Sequence, residues 1–428
     1  MLNLKKALVS VCGLLMSLPP VYAQGVITLD EAKELFKQRN VEYLVTTGKG
    51  TIEADAYWEE ARKLENPELS LDQVNLWSTP KQRGGESVVI QPIVGGFAKN
   101  TEFAVGLSQH IRLGGKRRKK LRMAETNRNV VEHENRAIAN DLWLDFVEGV
   151  FDLNYAEAYA QILNKQHLVL STVVASYEKQ KEQGYTATAD LLRIKAEKLQ
   201  LEKELNEVSQ LINSGLKEIQ TKLGDGNDSI RGITIRRPDM LMSHALHDLY
   251  DMASAHPAML KGHAQLDWMD KKLDYERSLR IPDMTLSATY DRAGGVWNDF
   301  VGFGVSFTLP IFNRNQAQIK ATRRLISLSA YEHEQTKVKL RNQIRAAYEN
   351  YHRTLKFFNQ LENEPTIAQL DVLLEKYQNN IIKKNISLIE FIDFMETYKS
   401  SKQILLATQK DLLIQKNIVE NTIGTKLN

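Results

Sequence analysis

Between Lys116 and Gln183 the chain runs without a proline and with a single glycine, Gly149. Nothing else in the sequence restricts the fold so strongly. At 1.5 Å rise per residue, a helix of that length spans about 100 Å. A compact globular unit has no room for it. Composition agrees. With 10 prolines, 23 glycines and 25% charged side chains in 428 residues, the chain suits long solvated helices better than α/β units.

This stretch belongs to a pattern that occurs twice. Phe103 to Ile111 (FAVGLSQHI) aligns with Phe303 to Ile311 (FGVSFTLPI) at an offset of 200 residues, Tyr177 with Tyr377, and Asp190 with Glu390. Each copy reads as a short helix, two alternating strands, a very long helix, a turn and another long helix. The first repeat covers 24–229, with strands about 68–75 and 102–111 and helices about 113–183 and 189–222. A linker follows over 230–242. The second repeat covers 243–428, with strands about 283–291 and 299–310 and helices about 313–383 and 388–424. A built-in duplication of this kind is read before any single element. Thr28 is placed to cap the first short helix, with Glu31 completing a capping box.

Residues 1–23 read as an export signal. Lys5 and Lys6 supply its charge, Ala7 to Leu18 its apolar centre, and Ala23 the small residue at the cut. Cys12, the only cysteine, lies inside this segment, so the mature chain has no disulfide. Net charge is +3, which points to neither nucleic acid nor an acidic partner. Beyond the signal no apolar run is long enough for a membrane helix. An exported chain without such a helix can still span a membrane as a β-barrel.

The strands support that possibility. Val301, Phe303, Val305, Phe307 and Leu309 alternate with Gly302, Gly304, Ser306 and Thr308. Bulky apolar residues on one face and small polar ones on the other suit lipid outside and water inside. A β-sandwich strand shows the same alternation. A barrel needs at least about eight strands, while one chain supplies about four. Barrel closure therefore requires several subunits, and three would supply about twelve strands. The longer strand connection, over 75–100, is the expected extracellular loop. Trp77, Tyr290 and Trp297 fit interfacial aromatic girdles, with a buried or loop position as the alternative. In the helices Phe391, Tyr398, Leu405, Leu412 and Val419 recur every seven residues, as do Leu205, Ile212 and Ile219. This is coiled-coil seam spacing.

Over essentially the whole mature chain, this order of elements resembles the TolC-type outer-membrane efflux proteins. Ile281 to Ser287 (IPDMTLS) is similar to the family's first strand entry, and Leu309 to Phe312 (LPIF) to its second strand exit. Gly184 with Asp190-Leu191-Leu192, and Ser387 to Phe391, resemble its two periplasmic hairpin turns. Phe312 to Gln316 (FNRNQ) is similar to the heavy-metal cation efflux branch. The resemblance implies a mainly α fold with a transmembrane β part. It implies a homotrimer whose β-barrel of about twelve strands continues as a helical tube of about twelve helices. It implies a passive duct in the outer membrane of a Gram-negative bacterium, with a large periplasmic extension. The partners implied are a periplasmic membrane-fusion adaptor, an inner-membrane pump of the RND type and outer-membrane lipid. No enzyme activity, cofactor or nucleic acid is implied. Multidrug efflux or type I secretion is the alternative within the family. A periplasmic coiled-coil scaffold or adaptor is the alternative outside it.

The candidate pore or gate residues are Asp190, Glu390 and Asp393, which three subunits would arrange as acidic rings. Acids near a helix N-terminus also complement its dipole, so each has a structural reading as well. The adaptor-docking candidates are Gly184, Tyr185, Thr186, Ala187, Thr188 and Ala189 in one turn. In the other they are Lys384, Asn385, Ile386, Ser387, Leu388 and Ile389. The second turn lacks the usual glycine, and Asn385 is expected to take the left-handed conformation there. No metal site is assigned: His244 and His247 share a helical spacing but lack a third ligand. Lys116 to Lys120 forms a basic run that marks a junction between strand and helix, near lipid head groups.

Overall fold

The computed structural model describes residues 25–75, 102–235, 242, 244–294 and 297–427. The export signal, Trp77 and residues 76–100 of the long loop lie outside the described residues. In chain order the elements are β1 Gly25–Thr28, α1 Leu29–Arg39, α2 Val41–Arg62, β2 Glu68–Asn75, β3 Glu102–Ile111, α3 Lys116–Glu182 and α4 Thr188–Lys222. They continue with β4 Ile230–Thr234, α5 Leu246–Met252, α6 Pro257–Ser278, β5 Asp283–Gly294, β6 Trp297–Thr308, α7 Gln316–Glu362, α8 Pro365–Ile382 and α9 Leu388–Ile423. α3 has 67 residues. No described helix is long and apolar enough to cross a membrane.

Two compact units result. One comprises Met1–Thr46, Ile138–Ala253 and Arg341–Asn428, the other Thr47–Ala137 and Ser254–Leu340.

The second unit carries one antiparallel sheet in the order β2-β3-β5-β6. Cross-strand partners share a face, so the register sorts the side chains into rows. One face carries the rows Leu69–Leu107–Ala288–Phe303, Leu71–Val105–Tyr290–Val301, Gln109–Leu286–Val305 and Ile111–Met284–Phe307. The other carries Glu68–Ser108–Ser287–Gly304, Ser70–Gly106–Thr289–Gly302, Asp72–Ala104–Asp291–Phe300 and His110–Thr285–Ser306. The first is apolar apart from Gln109, and Phe303 on it is 87% exposed. The second is small and polar apart from Phe300, with acids at Glu68, Asp72, Asp283 and Asp291. On it a Cβ at Gly106 or Gly304 would come within 2.6 Å of the hydroxyl of Ser70 or Ser287. Leu309 lies just past this sheet: β6 ends at Thr308, because Pro310 has no N–H for the ladder and biases Leu309.

The turn from β3 into α3 depends on Gly114. It has φ +67°, and a Cβ there would sit 2.4 Å from Ile281 Cδ1. The basic run that follows is largely engaged within the unit. The Lys116 ammonium is buried, pairs with Asp283 at 2.7 Å and donates to the Ile281 carbonyl at 2.6 Å. Arg117 donates to the Arg62 carbonyl, and Lys120 pairs with Glu60 at 2.6 Å. These three lysine and arginine heads bind protein and form a clamp between α2, α3 and the strand entry.

The first unit is helical around two apolar clusters. One gathers Ala32, Leu35 and Phe36 of α1 with Phe146, Val147 and Val150 of α3. Thr28 caps α1 as expected, donating its N–H to Glu31 at 2.7 Å and accepting from the Glu31 N–H at 3.3 Å. The other gathers the seam residues Phe391 and Tyr398 of α9, and Phe394 and Met395 beside them, with Leu163, Leu170 and Val173 of α3.

Two expectations are corrected. The helix read over 313–383 is two helices, α7 and α8, because Pro365 opens α8 at the position where a missing N–H is harmless. The stretch read as a linker, 230–242, begins with a strand. β4 pairs in parallel with β1, Val26 opposite Gly232 and Thr28 opposite Thr234.

Candidate functional site

The two hairpin turns of the helical unit hold the tip residues. α3 stops at Glu182, and Gly184 then takes φ +79°. Its N–H donates to the Lys181 carbonyl at 2.9 Å, and the Tyr185 N–H to the Gln180 carbonyl at 2.8 Å. That pair of bonds is the Schellman closure of a helix C-terminus. α8 closes in the same way. Lys384 donates to the Ile381 carbonyl at 3.1 Å and Asn385 to the Asn380 carbonyl at 2.9 Å. Here the left-handed residue is Lys384, at φ +60°, rather than Asn385. Fully buried Ile381 pins the last turn of α8, so the chain has to reverse three residues later.

Side chains tie the two turns together. The Lys384 ammonium donates to the Tyr185 carbonyl. Gln180 accepts from the Thr186 hydroxyl at 3.1 Å and donates to the Ile382 carbonyl at 3.1 Å. The returning helices begin differently. α4 has Ala187 at its N-cap and no side-chain cap. α9 has Ser387, whose N–H donates to Glu390 at 2.7 Å while its hydroxyl accepts from the Glu390 N–H at 3.2 Å. The bonds from the Ser387 backbone and then its side chain hold the Glu390 carboxyl below the usual carboxylate range.

Asp190, Glu390 and Asp393 are all exposed, as are Gly184, Tyr185, Ala187, Thr188 and Ala189. Lys384, Asn385, Ser387 and Ile389 are exposed too, whereas Thr186 and Ile386 are half-buried. Leu388 is buried in the seam cluster and is not a surface residue. Leu192, one turn into α4, joins Tyr185 and Ile389 among the large apolar side chains left exposed near the turns.

No family model matches the chain. The cobalt-zinc-cadmium resistance protein CzcC of Cupriavidus metallidurans is 22% identical over 308 residues, which is 71% of this chain and 68% of the relative. The CmeC outer membrane channel of Campylobacter jejuni matches the structure with a TM-score of 0.73 at 14% identity, over 92% of this chain and 85% of CmeC. A structure of CusC, described in terms of transmembrane channel formation, matches with a TM-score of 0.73 at 16% identity over 92% of each chain. The chain has the TolC-type outer-membrane channel fold. The resemblance drawn from the sequence holds.

Within the helical part of this TolC-like fold lie two polar networks that sequence reasoning missed. Asp371 of α8 accepts from Lys165 of α3 at 2.7 Å and from Lys402 and Tyr398 of α9 at 2.7 and 2.8 Å. Burial pushes its carboxyl up, but the two ammoniums and the phenol outweigh burial and hold it well below the usual range. Glu204 of α4 accepts from Tyr159 of α3 at 2.5 Å and from Lys399 of α9 at 3.2 Å. Burial and then the Glu204 bond push the Tyr159 phenol far up, so it stays a donor. Hydrogen bonds to charged groups contribute about 1.5–3 kcal/mol each. The sequence signal was present in Tyr398, a seam position carrying a hydroxyl that has to find an acceptor once buried.

Among the described residues, no group of three or more His, Cys, Asp or Glu side chains is placed to hold a metal ion. His247 faces Asp251 at 3.4 Å, on the same helix.

Proposed function

We propose that this protein is the outer-membrane channel of an export system, a duct that passes heavy-metal cations from a periplasmic adaptor and an inner-membrane pump to the exterior. The observation that carries this reading is the sheet of the second unit. Apart from Gln109 and Phe300, its apolar and polar side chains separate by face, and among the described residues no strand pairs with the outer edges of β2 and β6. An open edge is not tolerated in lipid. Three copies, joined edge to edge, supply about twelve strands and put the apolar rows outward. Each copy contributes one duplicated unit of strands and long helices, and the helices extend the pore through the periplasm.

Cations are the cargo that the polar face favours. Glu68, Asp72 and Asp291 stand on it with His110, and no Lys or Arg occupies a paired position there, while the fourth acid, Asp283, is neutralised by Lys116. Carboxylate-lined pores favour cations. The similarity to CzcC, a cobalt-zinc-cadmium resistance protein by name, points the same way. Growth of a deletion strain across a panel of metals and hydrophobic drugs tests the reading. Sensitivity confined to cobalt, zinc, cadmium, copper or silver supports it. Drug sensitivity with normal metal tolerance moves the channel to multidrug or secretion work.

At the tip, Asp190, Glu390 and Asp393 are the acids that act on the pore, with Glu390 also capping α9. Tyr185, Ile389 and the turn residues around them form the adaptor-docking surface. Asp190→Ala and Asp393→Ala raise the resting conductance of channels in a planar bilayer under this reading. Cross-linkers placed at Tyr185 and Ile389 capture the adaptor.

A further inference from the structure

The helical unit has a half-open cavity of about 890 Å³ outside the tip turns. Its floor is apolar: Trp143, Leu144, Val147 and Phe151 of α3 and Leu413 of α9. Its rim is rich in donors. The Lys33 ammonium lies 5.3 Å from the centroid of the Trp143 ring, and Lys33 makes no ion pair among the described residues. Burial, and then the nearby charges of Lys426 and Lys37, lower its hold on the proton. Lys426 lines the same space and pairs with Asp30 at 3.1 Å. The Nδ2 of Asn417, also in the lining, is buried without a hydrogen-bond partner. The cavity holds two carboxylates, Asp30, already paired with Lys426, and Glu420, which accepts from the Leu427 N–H at 3.3 Å; burial raises Glu420, against the Leu427 bond and the charges of Lys416, Lys426 and Lys33.

Three ammoniums, Lys33, Lys416 and Lys426, therefore face two carboxylates, Asp30 and Glu420, around an apolar floor. A cation half-withdrawn from water beside a second ammonium is stabilised by an anion placed between them. A buried amide N–H without an acceptor is a further unmet bond. We propose that this cavity binds an amphipathic anion. Its charged head meets Lys33, Lys426 and Asn417, and its apolar body lies over Trp143, Val147 and Phe151. The proposal holds whatever the channel exports.

The test uses the full mature protein in nanodiscs of zwitterionic lipid. The probes are decanoate and decyl phosphate, followed by calorimetry, and 10-bromodecanoate, whose bromine quenches an adjacent indole. Saturable binding is expected, with quenching lost in Trp143→Phe. Lys33→Met keeps the stem and removes the charge, and is expected to weaken binding about tenfold, as for one lost charge-assisted contact. Lys33→Arg retains binding. Lys37→Met leaves it unchanged, since Lys37 pairs with Glu34 at 2.9 Å outside the cavity. Nanodiscs containing phosphatidylglycerol separate the sources: loss of decanoate binding there identifies a membrane lipid as the ligand, and retention identifies a soluble one. Equal binding of decyltrimethylammonium, equal affinity in a folded Lys33→Met protein, or the absence of saturable quenching would each overturn the proposal.

Discussion

The two hairpin turns solve one problem in opposite ways. Both reverse the chain after a long helix through a left-handed residue and the same pair of backbone bonds. The first places Gly184 there, where no Cβ strains the backbone, and then starts α4 at Ala187 with no side-chain cap. The second places Lys384 there, a conformation that disfavours an L side chain by about 1–2 kcal/mol. It then starts α9 with the Ser387–Glu390 box. Such a cap contributes about 1 kcal/mol. The Lys384 ammonium adds a bond to the Tyr185 carbonyl, so the strained residue of one turn holds the other turn in place. One turn is favourable at its helix end and bare at its helix start, and the other is the reverse. A favourable left-handed residue and a well-made cap are interchangeable sources of stability, and residue identity alone does not show which turn is the firmer.

Substitutions at both turns can break this balance, read by amide hydrogen exchange over residues 180–195 and 380–395. The largest effect is expected from Gly184→Val. A Cβ at Gly184 meets nothing within 4 Å, so any loss comes from backbone conformation alone. A β-branched residue at positive φ is expected to destabilise the first turn by about 2 kcal/mol. Unchanged exchange there would show that the turn relaxes out of the left-handed region. Next is Ser387→Ala, which removes the cap of α9 and is expected to speed exchange at its first turn by about 1 kcal/mol. The same change at Thr188, beside the uncapped Ala187, is expected to do nothing measurable. Third is Lys384→Gly. Relief of the left-handed side chain is expected to stabilise the second turn by about 0.5–1 kcal/mol. Loss of the bond to Tyr185 is expected to loosen the first turn. Opposite signs at the two turns identify the tether, whereas stabilisation of both would show that the lysine contact contributes nothing.

What the sequence showed and what it hid divide by range. The capping box at Thr28, the alternation of Val301 through Phe307 and the seam from Phe391 to Val419 are local patterns, and each carries its own physical reason within a few residues. The pairing of Val26 with Gly232 is not local. A strand as short as β4 declares itself only through a partner about two hundred residues away. Pro365 was visible, but a break inside one long periodic helix competes with the periodicity on either side of it. The left-handed position at Lys384 was hidden because Asn385 is the residue that tolerates that conformation best, while burial of Ile381 fixes the register. The Asp371 network joins three helices through long side chains, and its lysines read in isolation as part of a solvated face. The tip acids were legible as residues, but the engagement of Glu390 with Ser387 separates one of them from the other two.

The smallest effect is the most selective, because it concerns only the turn with the cap. The Ser387 backbone and side-chain bonds depress the Glu390 carboxyl from its ordinary value of 4.5. A group whose folded value is lowered stabilises the folded state when ionised. Its contribution is therefore complete above that ordinary value and is lost as pH falls through the lower, folded one. Exchange at the first turn of α9 is expected to accelerate over that acidic window, after correction for intrinsic exchange. Glu390→Gln still offers an acceptor to the Ser387 N–H but has no proton to gain, so its profile is expected to be flat there. The first turn of α4 has no box, and it is expected to show no acceleration of this origin in either protein. A parallel acid response at both turns would mean that Glu390 does not control it, and that titration elsewhere in the helical unit loosens the two turns together.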